Sequence, residues 1–528
     1  MTGRLLSLFC ALLLLAGCAT KLPAPHDRSA GLDEQDQLFR DAAVTDARYQ
    51  DIHGFEHMKV DDQLRRLARR YPYQGDLKTQ KAFIHDFITR AVELNDRLVA
   101  ETVMHIPQDR LERFLAEYHE DMDLSVGGRT PQERFLKAYR KHAAEEVKLE
   151  LDGLAGLTDI HQVEAYWYDL VNGMEQSIKT KGRVQRLLIT APLVPFIQAW
   201  ILYHALTDDP GPRSPDFAAS QTYLPPRPQA ATDPARLQGW ALLEYYAPLV
   251  VQERAENPAY APESDHFGEV YLSGATLAEA TPGVHTDRPT LYAYQVEKEI
   301  QGIRVRQLIY TLWYPEHPAM KRFDPEAGPM EGWTFRITLN RDNRPLMYES
   351  VSNCGCYYKV FPTERMESWA SREYPEKEDG KRFFLEHDLP RKIDAIVPEL
   401  VAVPEGPPQR VGLFYSAGHH QLITVRLESQ LEESGAATQG PRYALLPYER
   451  LENLPFNGYH ASLFGEDGLV RKAHRPECTL LTPSGLYHAG HPRQRETQMI
   501  YFDQADFDDP ELFETYLRLP DKAFGRAL

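Results

Sequence analysis

The segment Pro289–Pro315 reads PTLYAYQVEKEIQGIRVRQLIYTLWYP. Apolar and aromatic side chains pass through Leu291, Tyr292, Tyr294 and Val296, pause at Gly302, and resume through Ile303, Val305, Leu308 and Tyr310. A period of two on both sides of a glycine predicts two antiparallel strands and a tight turn. Two further hairpins follow from the same pattern. WTFRITLNRDNRPLMYESV (Trp333–Val351) should turn at Asp342 and Asn343, and RVGLFYSAGHHQLITVRLE (Arg410–Glu428) near Gly418. DDPELFETYLRLP then closes the chain with a short helix carrying Pro510 in its first turn. Residues 264–528 therefore read as a mostly antiparallel β domain.

Upstream the period lengthens to that of a helix. In KAFIHDFITRAVELNDRLVAETV, the residues Phe83, Phe87, Ile88, Ala91, Leu94, Leu98 and Thr102 fall three or four apart and share one face. Pro107 ends that helix and can open the next, which carries Leu111, Phe114, Leu115 and Tyr118. Thr130, Pro131 and Glu133 form a capping box, so a helix starts at Thr130. Thr158 and Asp159 open another, with Val163, Tyr166, Trp167, Leu170 and Met174 turned inward. The fold class is thus α+β: an N-terminal α-helical domain, residues 58–207, followed by the β-rich domain. Proline-rich sequence from 208 to 263 reads as a linker holding one helix, ARLQGWALLEYYAPLV.

The N-terminus, MTGRLLSLFCALLLLAGC, has one cation, an apolar run of about eleven residues and a small-residue end at Cys18. That run is well short of the roughly twenty residues a spanning helix needs, and it reads as a targeting signal. LAGC at Leu15–Cys18 resembles the lipobox of bacterial lipoproteins. The resemblance implies removal of residues 1–17, acylation of Cys18 (palmitate among the chains) and a membrane partner reached through that lipid anchor. Residues 18–57 would be the lipidated N-terminus and tether. Ala19 in place of Asp implies the outer membrane, with the protein facing the periplasm. Leu187–Leu206 is twenty residues without Asp, Glu, Lys or Arg. The cations before it orient it against a lipoprotein's topology, and Pro192 and Pro195 interrupt it, so a buried or membrane-facing helix is expected rather than a span. The formal charge of −18, about −19 after processing, argues against nucleic acid as a partner. Protein partners are not specified by the sequence.

Of five cysteines, Cys10 is lost with the signal and Cys18 is lipidated, leaving Cys354, Cys356 and Cys478. An odd number in an oxidising compartment asks for a reason. Three readings stand. Cys354 and Cys356 could join through a bend at Gly355, or one of them could pair with Cys478. Alternatively, Cys354, Cys356, His474 and Cys478 could form a Cys3His set of the kind zinc takes in closed structural sites, with His419, His420, His488 and His491 as alternative imidazoles. Activity divides likewise between a structural metal site, a thiol hydrolase or redox enzyme with His419 or His420 as base, and a non-catalytic binding or scaffolding lipoprotein. Glu349 is the carboxylate nearest the thiols in sequence. The segment from Tyr310 to Pro362 resembles uncharacterised bacterial envelope proteins with a CGC motif, a likeness that brings no activity. GxSxG, HExxH, GxxxxGK and GxGxxG are all absent from the sequence. Asp121, Asp123 and Ser125 begin like a calcium loop, but Val126 and Gln132 break the pattern, so an ordinary loop is expected.

Overall fold

The computed structural model describes residues 38–117, 128, 130–177, 219–227, 234–254, 261–388, 397–476, 489–494, 507 and 511–525, apart from interruptions of one to five residues within those ranges. Leu15–Cys18, Tyr118, Asp121 to Ser125, Leu187–Leu206, Cys478, His488 and Pro510 lie outside the described residues.

The N-terminal region is helical, with one addition. Strands β1 (Gln50–Ile52) and β2 (Phe55–Val60) pair antiparallel, where the sequence reading had placed the end of a tether. Ile52, Met58 and Val60 are fully buried, because this hairpin caps the apolar faces of the helices. Helix α1 (Asp62–Ala68) leads to α2 (Leu77–His105), α3 (Gln108–Glu117), α4 (Pro131–Gly156) and α5 (Ile160–Ser177). The capping residues act as their chemistry dictates: Thr130 accepts from the Glu133 amide at 3.1 Å and Asp76 from the Thr79 amide at 2.8 Å. Trp167 on α5 stacks on Tyr71 at 4.7 Å and meets Phe83 and Phe87 edge-on, so the aromatic stripe is core.

The β region begins earlier than its hairpins suggest. Strand β3 (Ser220–Tyr223), helix α6 (Gly239–Tyr246) and strand β4 (Leu249–Glu253) occupy the proline-rich stretch read as a linker. The single helix expected over Ala235–Val250 stops at Tyr246, and its last residues become β4, buried on both faces. Pro248 explains the break: it lacks an amide proton and biases Ala247 out of the helical region. Two small strands, β5 (Glu269–Ser273) and β6 (Thr281–His285), form a hairpin of their own.

Strands β7 (Thr290–Ile300) and β8 (Ile303–His317) are the predicted hairpin, with Gln301 and Gly302 both at positive φ. Two consecutive left-handed residues are what a two-residue hairpin turn requires. Strands β9 (Gly328–Leu339) and β10 (Pro345–Ser352) form the second, with Asn343 at φ 57°. After β11 (Lys359–Pro362) and helix α7 (Glu364–Glu373), strands β12 (Val411–Tyr415) and β13 (Leu422–Leu427) form the third around Gly418. Strand β14 (Ala444–Pro447) follows. Beside the two-stranded pairs, a six-stranded sheet runs β11-β10-β9-β8-β7-β14 and a four-stranded sheet β13-β12-β4-β3. Pairing is antiparallel except for β12 with β4 and β14 with β7.

The larger sheet is buried on both faces, and the two faces differ. Leu308, Tyr310, Leu312, Trp333, Phe335 and Ile337 point into the main apolar core. Across the sheet, Gln307, Thr311, Thr334, Arg336, Thr338 and Glu349 are equally buried but polar. Some of these groups pair with one another: Gln307 donates to Thr338 at 3.1 Å, and Arg336 makes two hydrogen bonds to Glu349 at 2.7 and 2.6 Å. The helical and β regions touch through polar contacts, with Asn453 donating to the His105 carbonyl and the Ala47 amide donating to the Arg493 carbonyl at 2.9 Å.

Candidate metal centre

The ends of three hairpin strands converge at one corner of the β region. His317 closes β8, Glu331 lies near the start of β9, and His419 and His420 form the β12–β13 turn. Cross-strand pairing sets Glu331 opposite Tyr314, three residues before His317. The β12–β13 turn is shaped by Gly418 at φ 70° and His420 at φ 48°. His420 is held in that unusual conformation by its ring: Nδ1 lies 2.7 Å from one Glu331 oxygen and Nε2 3.1 Å from Asp265. Tyr314 stacks on it at 3.8 Å, nearly parallel. Asp265 also accepts the Gly418 amide at 2.7 Å, tying the turn to the short 3-10 segment Pro262–Asp265.

The other Glu331 oxygen lies 2.9 Å from His317 Nδ1. Glu331 thus bridges two imidazoles; His420 has both ring nitrogens engaged, while His317 leaves one over. On His317 that is Nε2, a buried atom without a hydrogen-bond partner, 3.9 Å from a Glu326 oxygen. His419 Nδ1 is likewise buried and without a hydrogen-bond partner. One ligand atom each from His317, Glu326 and His419 lies within 4.8 Å of the other two. Tyr357 donates to the second Glu326 oxygen at 2.7 Å, which fixes the carboxylate.

The electrostatics follow from burial. Burial alone would push His317 and His420 down, but the Glu331 carboxylate outweighs it at His317, and Asp265 with Glu331 at His420, so both rise above the ordinary imidazole value. Burial would raise Glu331, yet the two imidazoles hold it well below the usual carboxylate range. His419 is different: burial lowers it, and the neighbouring His317 lowers it further. The lowered value keeps the His419 lone pair available to a cation, whereas His317 must release its Nε2 proton to become a ligand.

Among the residues singled out in the sequence, His419 lies in this group and His420 supports it. Cys354 and Cys356 are buried in the loop after β10 as thiols not bonded to each other. His474 is exposed, and among the described residues no cysteine joins a metal-ligating group. The segment around His474 does reach the site, although about 118 residues separate it from Cys356 in the chain. Arg475 donates to the Met330 carbonyl at 2.9 Å, and its charge acts on the Cys354 thiol. His491 is a core histidine, its Nδ1 accepting the Arg493 amide at 3.2 Å and its ring packed on Tyr448. Glu349 turns away from the thiols to face Arg336, with Tyr358 donating to it at 2.7 Å. That trio makes a buried ion pair rather than an acid or base near Cys354.

His317, Glu326 and Glu331 all fall inside the Tyr310–Pro362 segment, in PEHP and FDPEAGPMEG. Their spacings of nine and five residues match no metal motif, so only the pairing of β8 with β9 unites them. No family model matches the chain, and no curated protein and no solved structure matches it either.

Proposed function

We propose that this protein is a lipid-anchored envelope protein whose β region binds one divalent transition metal ion through His317, Glu326 and His419. The observation that carries this reading is the buried Nε2 of His317, which lacks a hydrogen-bond partner and faces a second imidazole and a carboxylate. A buried polar atom without a partner costs about 1–3 kcal/mol, and an ion would turn that cost into binding. Glu331 on Nδ1 supplies the carboxylate–histidine support typical of metal ligands. Two imidazoles and one carboxylate suit zinc or ferrous iron, and three protein ligands leave a fourth coordination position unfilled by the protein. The site therefore differs from the closed thiolate site expected from the cysteines. The envelope assignment is supported by the lipobox at Leu15–Cys18.

The test is metal analysis of the mature protein purified without chelator, with zinc titration of the stripped form by calorimetry. About one equivalent of tightly bound metal is expected, lost at least a hundredfold in affinity in His317→Ala. Less than a tenth of an equivalent, together with no heat from zinc, would remove the metal reading. Labelled palmitate incorporation that survives Cys18→Ser would remove the anchor.

A further inference from the structure

The loop joining β10 to β11 carries a second arrangement that the metal site does not use. The Gly355 amide donates to the Ser352 carbonyl at 2.8 Å, and the Ser352 amide donates to the Cys356 carbonyl at 3.0 Å. Gly355, at φ 98°, supplies the left-handed residue that such a turn needs. The turn brings Cys354 and Cys356 close enough for their side chains to hydrogen-bond.

Ser352 completes the arrangement. Its Oγ accepts the Cys356 amide at 3.2 Å and lies 2.9 Å from Cys354 Sγ. Either atom can donate in this contact, and once Cys354 is a thiolate the hydroxyl is the donor. The Cys354 thiolate is favoured first by a hydrogen bond from Cys356, then by the Arg475 cation and by Ser352. Each of these favours a thiolate, and together they outweigh burial and the nearby Glu326 charge, so the Cys354 thiol falls to about 7. Asn353 anchors the loop: its amide donates to the Gly332 carbonyl at 2.7 Å and its side chain accepts from Thr334 at 2.6 Å. Gly332 is required there, because a Cβ would lie 2.3 Å from Asn353 Nδ2 and 2.7 Å from the Trp313 ring.

We propose that Cys354 and Cys356 form a redox-active dithiol that exchanges with small-molecule disulfides, Cys354 as the attacking thiolate and Cys356 as the resolving thiol. Cys354 attacks one sulfur of the external disulfide. The external sulfur–sulfur bond breaks, the leaving thiolate takes up a proton, and a mixed disulfide remains on Cys354. Cys356 loses its proton and attacks the Cys354 sulfur, which releases the second external thiol. The protein dithiol is oxidised by two electrons and the external disulfide is reduced to two thiols. The bridge spans one residue, so little chain entropy holds it and it is easily reduced again. The dithiol shares no residue with the metal ligands, although the Glu326 charge also acts on Cys354.

The experiment uses the reduced, desalted full-length mature protein in a Cys478→Ser background, with oxidised glutathione as probe and peptide mass mapping as readout. The protein with both cysteines is expected to lose two hydrogens on the Cys354–Cys356 peptide without holding an adduct. Cys356→Ser should instead trap one glutathione on Cys354. Adding Ser352→Ala should slow that trapping by about tenfold, and Arg140→Ala, in the helical region, should leave it unchanged. Absence of an adduct in folded Cys356→Ser, a stable adduct in the protein with both cysteines, or trapping unaffected by Ser352→Ala would each overturn the proposal.

Discussion

The helical and β regions both bury large aromatic cores, but they treat charge in opposite ways. In the helical region Arg140 and Asp96 pair at 2.6 Å with both side chains about half exposed. In the β region Arg336 and Glu349 pair at 2.6 Å with at most 1% of either side chain exposed. The difference follows from geometry. An amphipathic helix has one wet face on which to keep its charges, whereas a central strand covered on both sides must bury whatever its second face carries. The β region can therefore hold polar groups with unused bonding capacity away from water, and those groups make a site.

The largest test of this contrast is removal of one partner from each pair. Arg336→Ala leaves Glu349 charged and buried, and denaturant unfolding should show a loss of about 3–5 kcal/mol. Arg140→Ala should cost less than about 1 kcal/mol. Equal losses would erase the distinction between the two regions.

One histidine in the helical region sharpens the comparison. Burial, helped by His142, lowers His57 from 6.5 to about 4, whereas His317 and His420 gain carboxylate partners and rise. Between pH 6.5 and 4 the unfolded chain binds a proton at His57 that the folded chain refuses. Stability should thus fall as pH drops through that window, by up to about 3 kcal/mol, and change no further at this residue below it. Helical circular dichroism during denaturation at several pH values measures this, and His57→Leu should flatten the dependence.

Smaller effects are expected from the supporting contacts. Glu331→Gln keeps the shape but weakens the hold on His317 and His420, and zinc affinity by calorimetry should drop about 10–100-fold. An unchanged affinity would mean that the bridge only packs the corner. Smallest is the helix cap: Thr130→Ala should cost about 1 kcal/mol in thermal or denaturant unfolding.

Much of the architecture is legible in residue order because its causes are local. The turn at Gly302, the cap at Thr130 and the stripe through Trp167 depend on neighbours within a few positions. The proline-rich stretch misleads for the opposite reason. Val250 and Val251 become a central strand because β12 lies beside them, and β12 is some 160 residues away. The candidate site divides in the same way. His419 and His420 stand out as a doublet at a turn, while Glu331 is one carboxylate among 77 acidic residues until β8 and β9 set it beside two imidazoles. The segment holding His474 does approach the thiols, but the residue delivered to them is Arg475.

Residue order alone thus determined the α+β class, the three hairpins, the helix starts and the presence of a vicinal thiol pair, since period, turn chemistry and capping act over short distances. Tertiary structure decided which polar groups meet and which ring nitrogen is left over, because strand register and burial act between residues far apart in the chain.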